Sequence, residues 1–357
     1  MADAERPGTG TSDPRTLRPA TPVLDHGDGE VLLGTDPRWS LVLTGLADHE
    51  SRWLRDLGSR RHHSLDRSAR HWGVTPARQG QIVRALDGGG FLVRRQAQHA
   101  SPAAVGWSPD VAVLGALRPD GCGTATLARR GGCVVGLHGL GRLGVVLAEL
   151  LASAGVGALV LDDRDPVHVG DLGLGAYAPA DVGRPREEAA AEVLRRRHPA
   201  LRVGSALPAG GSPDVVVVVE AHAARPARYE RLLGAGVPHL PVVVREADVL
   251  VGPLVLPGRS ACVGCVDRHA TDADAGWTAA VADLTRRPPT DVAHETTLAA
   301  TAAALGAGQV LALLDGSMPA TAGRVLEVAL PEAVPRSREV APHPECGCTR
   351  LPAPART

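Results

Sequence analysis

The chain has 357 residues, 44% hydrophobic and 22% charged, with a formal net charge of −1. That length favours two domains in a globular protein. The balanced charge excludes the basic field of a nucleic-acid or anionic-membrane binder. The chain contains no lysine and no asparagine, so chemistry that needs a lysine amine is excluded. Aromatic residues make up only 2%, and the core must be built from Val, Leu and Ala.

In chain order, residues 1–29 are polar and Pro-rich, without an apolar targeting core, and are expected to be disordered. Residues 30–112 are expected to form a small module. VLLGTDPRWSLVLTGL predicts two short strands about an Asp-Pro turn. HESRWLRDLGSRR and TPARQGQIVRALDGGG predict helices, the second with Thr75 as N-cap and Pro76 in its first turn, and FLVRR predicts a strand. Helices followed by a strand suggest a winged-helix-like unit, read either as a peptide or nucleic-acid clamp or as a packing domain. Its arginines alternate with acidic residues, which disfavours DNA.

Residues 113–350 are expected to form the second domain, and 351–357 a tail. Here CVVGL, GALVLDD, LRVGSAL, DVVVVVE and VPHLPVVVRE read as strands. GRLGVVLAELLASAG, PREEAAAEVLRRRHP and LAATAAALGAGQVLALLDG read as helices. Apolar strands alternating with helices predict a doubly wound, mostly parallel α/β sheet of the Rossmann type, covered on both faces. No run of about 18 apolar residues stands out as a membrane span. Six cysteines in so long a chain do not suggest a secreted disulfide scaffold. The expectation is a cytoplasmic protein.

The first strand runs into a glycine turn that fits two frames. Gly139, Gly141 and Gly144 satisfy G-x-G-x-x-G, and Asp163 ends the next strand, where a dinucleotide site holds ribose. That frame suggests an NAD(P)-dependent oxidoreductase. The other frame begins at Gly136 and puts His138 in the second glycine position, where a side chain obstructs close phosphate approach. Further on, Cys262-x-x-Cys265 and Cys346-x-Cys348 supply two thiolate pairs, the ligand set of a closed, structural zinc site; a disulfide or free thiols are the alternatives. Cys122 and Cys133 read as small apolar fillers.

The runs Gly136–Gly141, Ala154-Gly-Val-Gly157, Asp163-Arg-Asp-Pro-Val167 and Gly183-Arg-Pro-Arg-Glu-Glu-Ala-Ala190, followed by the cysteine pairs, resemble the ThiF/MoeB/HesA family, relatives of ubiquitin-activating enzymes. The resemblance spans about residues 130–350. It implies a Mg-ATP site (Gly136, His138, Gly139, Gly141, Asp163, Asp165, Arg186), a four-cysteine zinc, a homodimer, and adenylation of the C-terminus of a small ubiquitin-like carrier. Four positions depart from the family pattern. The second glycine is His138, the phosphate arginine falls on Leu174, and the magnesium aspartate falls on Ala223. The thioester cysteine, expected near Val292 to Glu295, is absent. Arg186 stands for the family's lysine and is the one catalytic candidate; His222 is a second polar candidate at the crevice. With its N-terminal module, the chain is similar to the leader-peptide-binding members of azole-forming clusters, partners of a cyclodehydratase. The expectation is a peptide- or carrier-binding scaffold with a degenerate ATP site; the alternative is a live adenylyltransferase.

Overall fold

A computed structural model describes residues 15–18, 20–58, 64–94, 108–206, 211–286 and 294–350. The chain divides into two compact units, 1–126 and 127–357.

The first unit opens with β1 (Arg15–Leu17), β2 (Val23–Gly27), β3 (Glu30–Leu33) and β4 (Leu41–Leu43). Helices α1 (Asp48–Gly58), α2 (Leu65–His71) and α3 (Pro76–Gly88) follow, then β5 (Leu92–Arg94) and α4 (Ser108–Ala116). Strands β2, β3 and β4 form an antiparallel sheet with β3 in the middle, and β1 pairs with β5. Two of these strands lie inside the stretch 1–29 expected to be disordered, which corrects that expectation for residues 15–18 and 20–29; residues 1–14 and 19 lie outside the described residues. The cause is local. Asp28 (φ +47) and Gly29 (φ +75) form the two-residue turn that joins β2 to β3, and both central residues of such a hairpin turn need positive φ. The core collects Val31 and Leu33 from β3, Trp53 and Leu54 from α1, and Leu65 and Leu86 from the other helices. As expected, Thr75 caps α3 through the Arg78 N–H, with Pro76 in the first turn. Helix α5 (Gly123–Gly132) leads into the second unit.

The second unit continues with β6 (Val134–His138), α6 (Arg142–Ser153), β7 (Ala158–Asp162), α7 (Arg186–Arg197), β8 (Arg202–Gly204) and β9 (Val215–Ala221). Then come α8 (Pro226–Gly234), β10 (His239–Val244), β11 (Asp248–Val251), α9 (Val263–Ala273) and α10 (Trp277–Arg286). The unit ends with α11 (Thr296–Leu314), β12 (Arg324–Ala329) and β13 (Pro335–Glu339). The sheet order is β13-β12-β11-β10-β9-β6-β7-β8. Strands β8, β7, β6, β9 and β10 are parallel, and β11 to β13 extend one edge antiparallel. The chain winds outward from β6 to β8, then returns to the other side of β6 with β9. The crevice beyond the carboxyl ends of β6 and β9 is therefore the topological switch point, where open α/β sheets bind ligands.

Helix α11 carries Ala299, Ala302, Ala303, Gly306 and Ala307 on its buried face, and these small residues let it lie close to α6. A Cβ at Gly306 would come 2.9 Å from Leu147 Cδ1. Gly306→Val is expected to lower stability by about 1–3 kcal/mol through overpacking; urea unfolding at unchanged m-value checks it. At 19 residues, α11 is long and apolar enough to cross a membrane, which corrects the reading that no run reaches that length. Its packing on α6 and the sheet makes it a core helix.

Candidate functional site

The crevice is built by the turn that follows β6. Gly139 adopts φ +83, and a Cβ there would collide with the Val219 carbonyl of β9. A Cβ at Gly144 would collide with the Gly139 carbonyl. These two glycines are thus required for strand–turn–helix packing, with or without a ligand. Gly141 is the N-cap of α6 and makes no side-chain cap bond. Gly136 lies in mid-strand, where a Cβ would come 3.0 Å from Val216 Cγ2.

His138 ends β6 between Val218 and Asp162. Its Nδ1 lies 2.9 Å from the exposed Asp162 carboxylate. The imidazole is therefore tied to the end of β7. Asp163 is 7% exposed and closes the glycine turn: its carboxylate accepts from Leu140 N–H at 2.6 Å and Asp165 N–H at 3.1 Å. Burial raises its pKa, against the lowering pull of the Leu140 N–H and the Arg186 guanidinium. Asp165 stays exposed, and its carbonyl accepts from Arg186 N–H at 2.9 Å.

Arg186, at the start of α7, is the residue on which phosphate binding would rest. Its guanidinium binds Asp171 through Nε and Nη2, both at 2.8 Å, and lies 3.7 Å from Asp163. The two side chains of the Arg186–Asp171 pair are 11% and 8% exposed. Asp171 also accepts from Arg142 N–H at 3.1 Å and His168 N–H at 2.9 Å, so four donors saturate its carboxylate. Asp163, Asp171 and Arg186 together sum to one negative charge at a place that would have to receive polyphosphate.

Sequence reasoning singled out Arg186 and missed the residues that hold it. Asp171 lies three residues before Leu174, the position where the resemblance expects the phosphate arginine, and Leu174 packs against the core. Tyr177 donates to the Leu140 carbonyl at 2.7 Å, bracing the turn from behind; burial raises its pKa. The signal available was composition: the chain has 2 tyrosines, and both hydroxyls are buried donors. Arg142 carried no motif. It reaches the start of α11, donating to the His294 carbonyl at 2.8 Å and to Thr296 Oγ1 at 2.7 Å. Val292 lies outside the described residues, and Glu295 caps α11.

On the β9 side, Glu220 is buried and holds Arg228, the Tyr229 hydroxyl at 2.8 Å and Arg225 N–H at 3.0 Å. It organises the start of α8. His222 has φ +64 and lies 3.2 Å from the exposed Glu246 carboxylate. Ala223 is buried and offers no oxygen to magnesium.

The cysteines converge. Cys262 Sγ lies 3.9 Å from Cys265, 3.6 Å from Cys346, and Cys265 lies 3.5 Å from Cys348. All four sulfurs fall within 4.8 Å of one another. A tetrahedron with metal–sulfur bonds of about 2.3 Å has sulfur–sulfur edges of about 3.8 Å, so the spacing fits one metal ion, and each separation is far beyond a disulfide bond. Cys122 and Cys133 stand apart from the cluster as partly buried thiols, and Cys133 packs against the main core, as expected of a small apolar filler. Burial pushes the Cys262 thiol up and Cys348 up to about 11. In Cys346 burial works upward too, but the Cys348 N–H and the neighbouring thiols outweigh it and bring the pKa below its ordinary value.

Close by, His269, Asp272 and His343 also cluster. His343 Nδ1 accepts from Glu345 N–H at 3.1 Å, so Nε2 carries the proton toward Asp272 at 2.9 Å. This set braces the C-terminal segment against α9 by hydrogen bonds.

A switch-point crevice with a glycine turn and a carboxylate after the second strand defines a Rossmann-type α/β protein. The profile of the ThiF family matches residues 123–349, and the chain belongs to that family. No protein of curated function matches the sequence. Among solved structures, Escherichia coli MccB with succinimide matches at 17% identity and a TM-score of 0.73, over 94% of this chain and 99% of that one. The complex of E. coli MccB with AMPCPP and MccA matches at 17% identity and a TM-score of 0.71, over 94% and 99%. The structure of PaaA matches at 16% identity and a TM-score of 0.68, over 90% and 98%. At these identities the likeness establishes the fold, including the mixed, mostly parallel sheet expected from the sequence.

Proposed function

We propose that the chain is a ThiF-family scaffold whose crevice does not activate ATP. In this reading it holds a peptide or small carrier protein for modification by a partner enzyme of the cyclodehydratase type. The observation that carries the reading is the Arg186–Asp171 pair. Adenylyl transfer needs fixed cations and a metal against the charge that develops on the phosphates. Here the cation at the phosphate position is neutralised by its own carboxylate, and the arginine and magnesium aspartate positions hold Leu174 and Ala223.

The N-terminal unit is the peptide clamp. Strands β2 and β4 are the outer strands of its three-stranded sheet. Leu24, Leu32 and Val42 form one cross-strand row, of which Leu24 and Val42 are 40% and 42% exposed. That supports binding by strand addition, with apolar pockets reading alternate side chains. MccB, of the same fold, is seen with MccA, which supports a peptide partner. The metal of the cysteine cluster is zinc, held by Cys262, Cys265, Cys346 and Cys348 in a structural role. A cytoplasmic homodimer completes the reading.

The rival is a live adenylyltransferase, favoured by Asp163, which keeps the ribose carboxylate position. Pyrophosphate exchange with Mg-ATP and a carrier peptide decides. The scaffold reading expects no exchange above a no-protein blank, and exchange at enzymatic rates overturns it. The family assignment leaves the oxidoreductase alternative without support.

A further inference from the structure

Three of the four clustered cysteines are buried: Cys262 is 5% exposed, Cys265 0% and Cys348 3%. Cys346 is the fourth and is only partly covered. Its Sγ lies 3.6 Å from Cys262 Sγ, so the exposed sulfur and a buried one share an edge of the cluster. That edge is open on its outer side. A Cβ at Gly264 would stand 3.5 Å from Cys262 Sγ and 4.0 Å from Cys346 Sγ. Glycine leaves that side uncovered, and residue 264 is itself partly exposed. Gly264 lies in the first turn of α9 and its φ is not positive, so its missing side chain answers no demand of the backbone.

The cation beside this opening is the exposed Arg268. Its Nη1 donates to the Gly264 carbonyl at 3.1 Å and stands 3.1 Å from where the Gly264 Cβ would be. Thiolate is both the form of cysteine that holds zinc and the form that attacks peroxide. A positive charge at this point stabilises the thiolate and the negative charge that grows on the departing oxygen. The Cys346 thiolate takes one oxygen from hydrogen peroxide, giving a sulfenic acid and hydroxide. The Cys262 thiolate then attacks Cys346 Sγ; the S–S bond forms and a second hydroxide leaves. In sum the two thiolates lose two electrons, and peroxide takes them with two protons to give two waters.

We propose that Cys346 and Cys262 form a peroxide-sensitive edge of the cluster: oxidation joins them in a disulfide, and Cys265 and Cys348 alone no longer hold the metal. The proposal rests on zinc at the four cysteines. The disulfide keeps the C-terminal segment tied to the start of α9, so thiol reductant and zinc restore the starting state. The test treats the full-length, zinc-loaded protein with hydrogen peroxide in reductant-free buffer. Released zinc is followed with a chromophoric chelator, and disulfides are mapped by non-reducing peptide mass spectrometry. Wild type is expected to release its zinc in step with a Cys262–Cys346 disulfide. Arg268→Gln is expected to slow release by roughly tenfold, the worth of one charge-assisted contact. Gly264→Ala, which covers the pair while keeping all four ligands, is expected to slow it several-fold. Wild type that holds no zinc before treatment would overturn the zinc assignment and the proposal together. Zinc-loaded wild type that keeps its zinc under peroxide, that joins other cysteines instead, or whose rate is unchanged in folded Arg268→Gln and Gly264→Ala would overturn the proposal alone.

Discussion

Cys262→Ser is expected to lose its metal and to melt far below the wild type. The four sulfurs come from two places 84 residues apart in the chain, Cys262 pairing with Cys346, so one ion held there would tie the C-terminal segment to the start of α9. Around that tie the small cluster of Val255, Ala261, Val325 and Val340 is buried. Structural zinc in small domains contributes about 10–16 kcal/mol; a site missing one thiolate should forfeit a third or more of that, about 4 kcal/mol at least. Elemental analysis of purified protein should give about one metal per wild-type chain and a clear loss in the variant. Chelation of the wild type should reproduce the fall in melting temperature. Unchanged metal content in Cys262→Ser would remove the four-thiolate site.

The second large effect concerns the crevice. Asp171→Asn removes a negative charge while keeping an acceptor for Arg142 N–H and a near-isosteric shape. It frees the Arg186 guanidinium from its ion pair, and a charge-assisted hydrogen bond to phosphate is worth about 1.5–3 kcal/mol. Mg-ATP affinity should rise by about tenfold or more over the wild type. Adding Leu174→Arg and Ala223→Asp supplies the second cation and a magnesium carboxylate, and should raise it further. Breaking the buried pair has a cost, up to about 3–5 kcal/mol for an uncompensated charge, so the variant should be less stable until ATP is added. Thermal shift with and without Mg-ATP reads both signs. A variant that loses stability and gains no ATP response would show that Arg186 does not face the phosphate position.

Much of this was legible in the sequence, because its signals are local. The run CVVGLHGLG is a buried strand followed by a turn that needs Gly139 at positive φ and Gly144 without a Cβ, and such constraints leave a readable mark. The cysteine pairs were equally plain. The Asp28-Gly29 hairpin was also in the letters, but the polar, Pro-rich composition around it hid the strands it joins. Strands β11 to β13 were harder: β13 is exposed along its whole length and carries no apolar alternation.

The crevice was half legible. Arg186 read as a charge-keeping replacement for the family's lysine, and Leu174 and Ala223 as joint departures from the family pattern. What could not be read was that the carboxylate of Asp171, 15 residues before Arg186, would reach its guanidinium. An ion pair across a loop leaves no periodicity, and each partner alone reads as tolerable. The same holds for Glu220, whose anchoring of Arg228 and Tyr229 carries no sequence signal.

The central claim is that an internal ion pair occupies the place of the phosphate-binding charges. Isothermal titration of the metal-replete, full-length protein with Mg-ATP tests it most directly. Wild type is expected to give no saturable heat at millimolar nucleotide, while Asp171→Asn gives a measurable isotherm. Micromolar binding of Mg-ATP to the wild type would contradict the account.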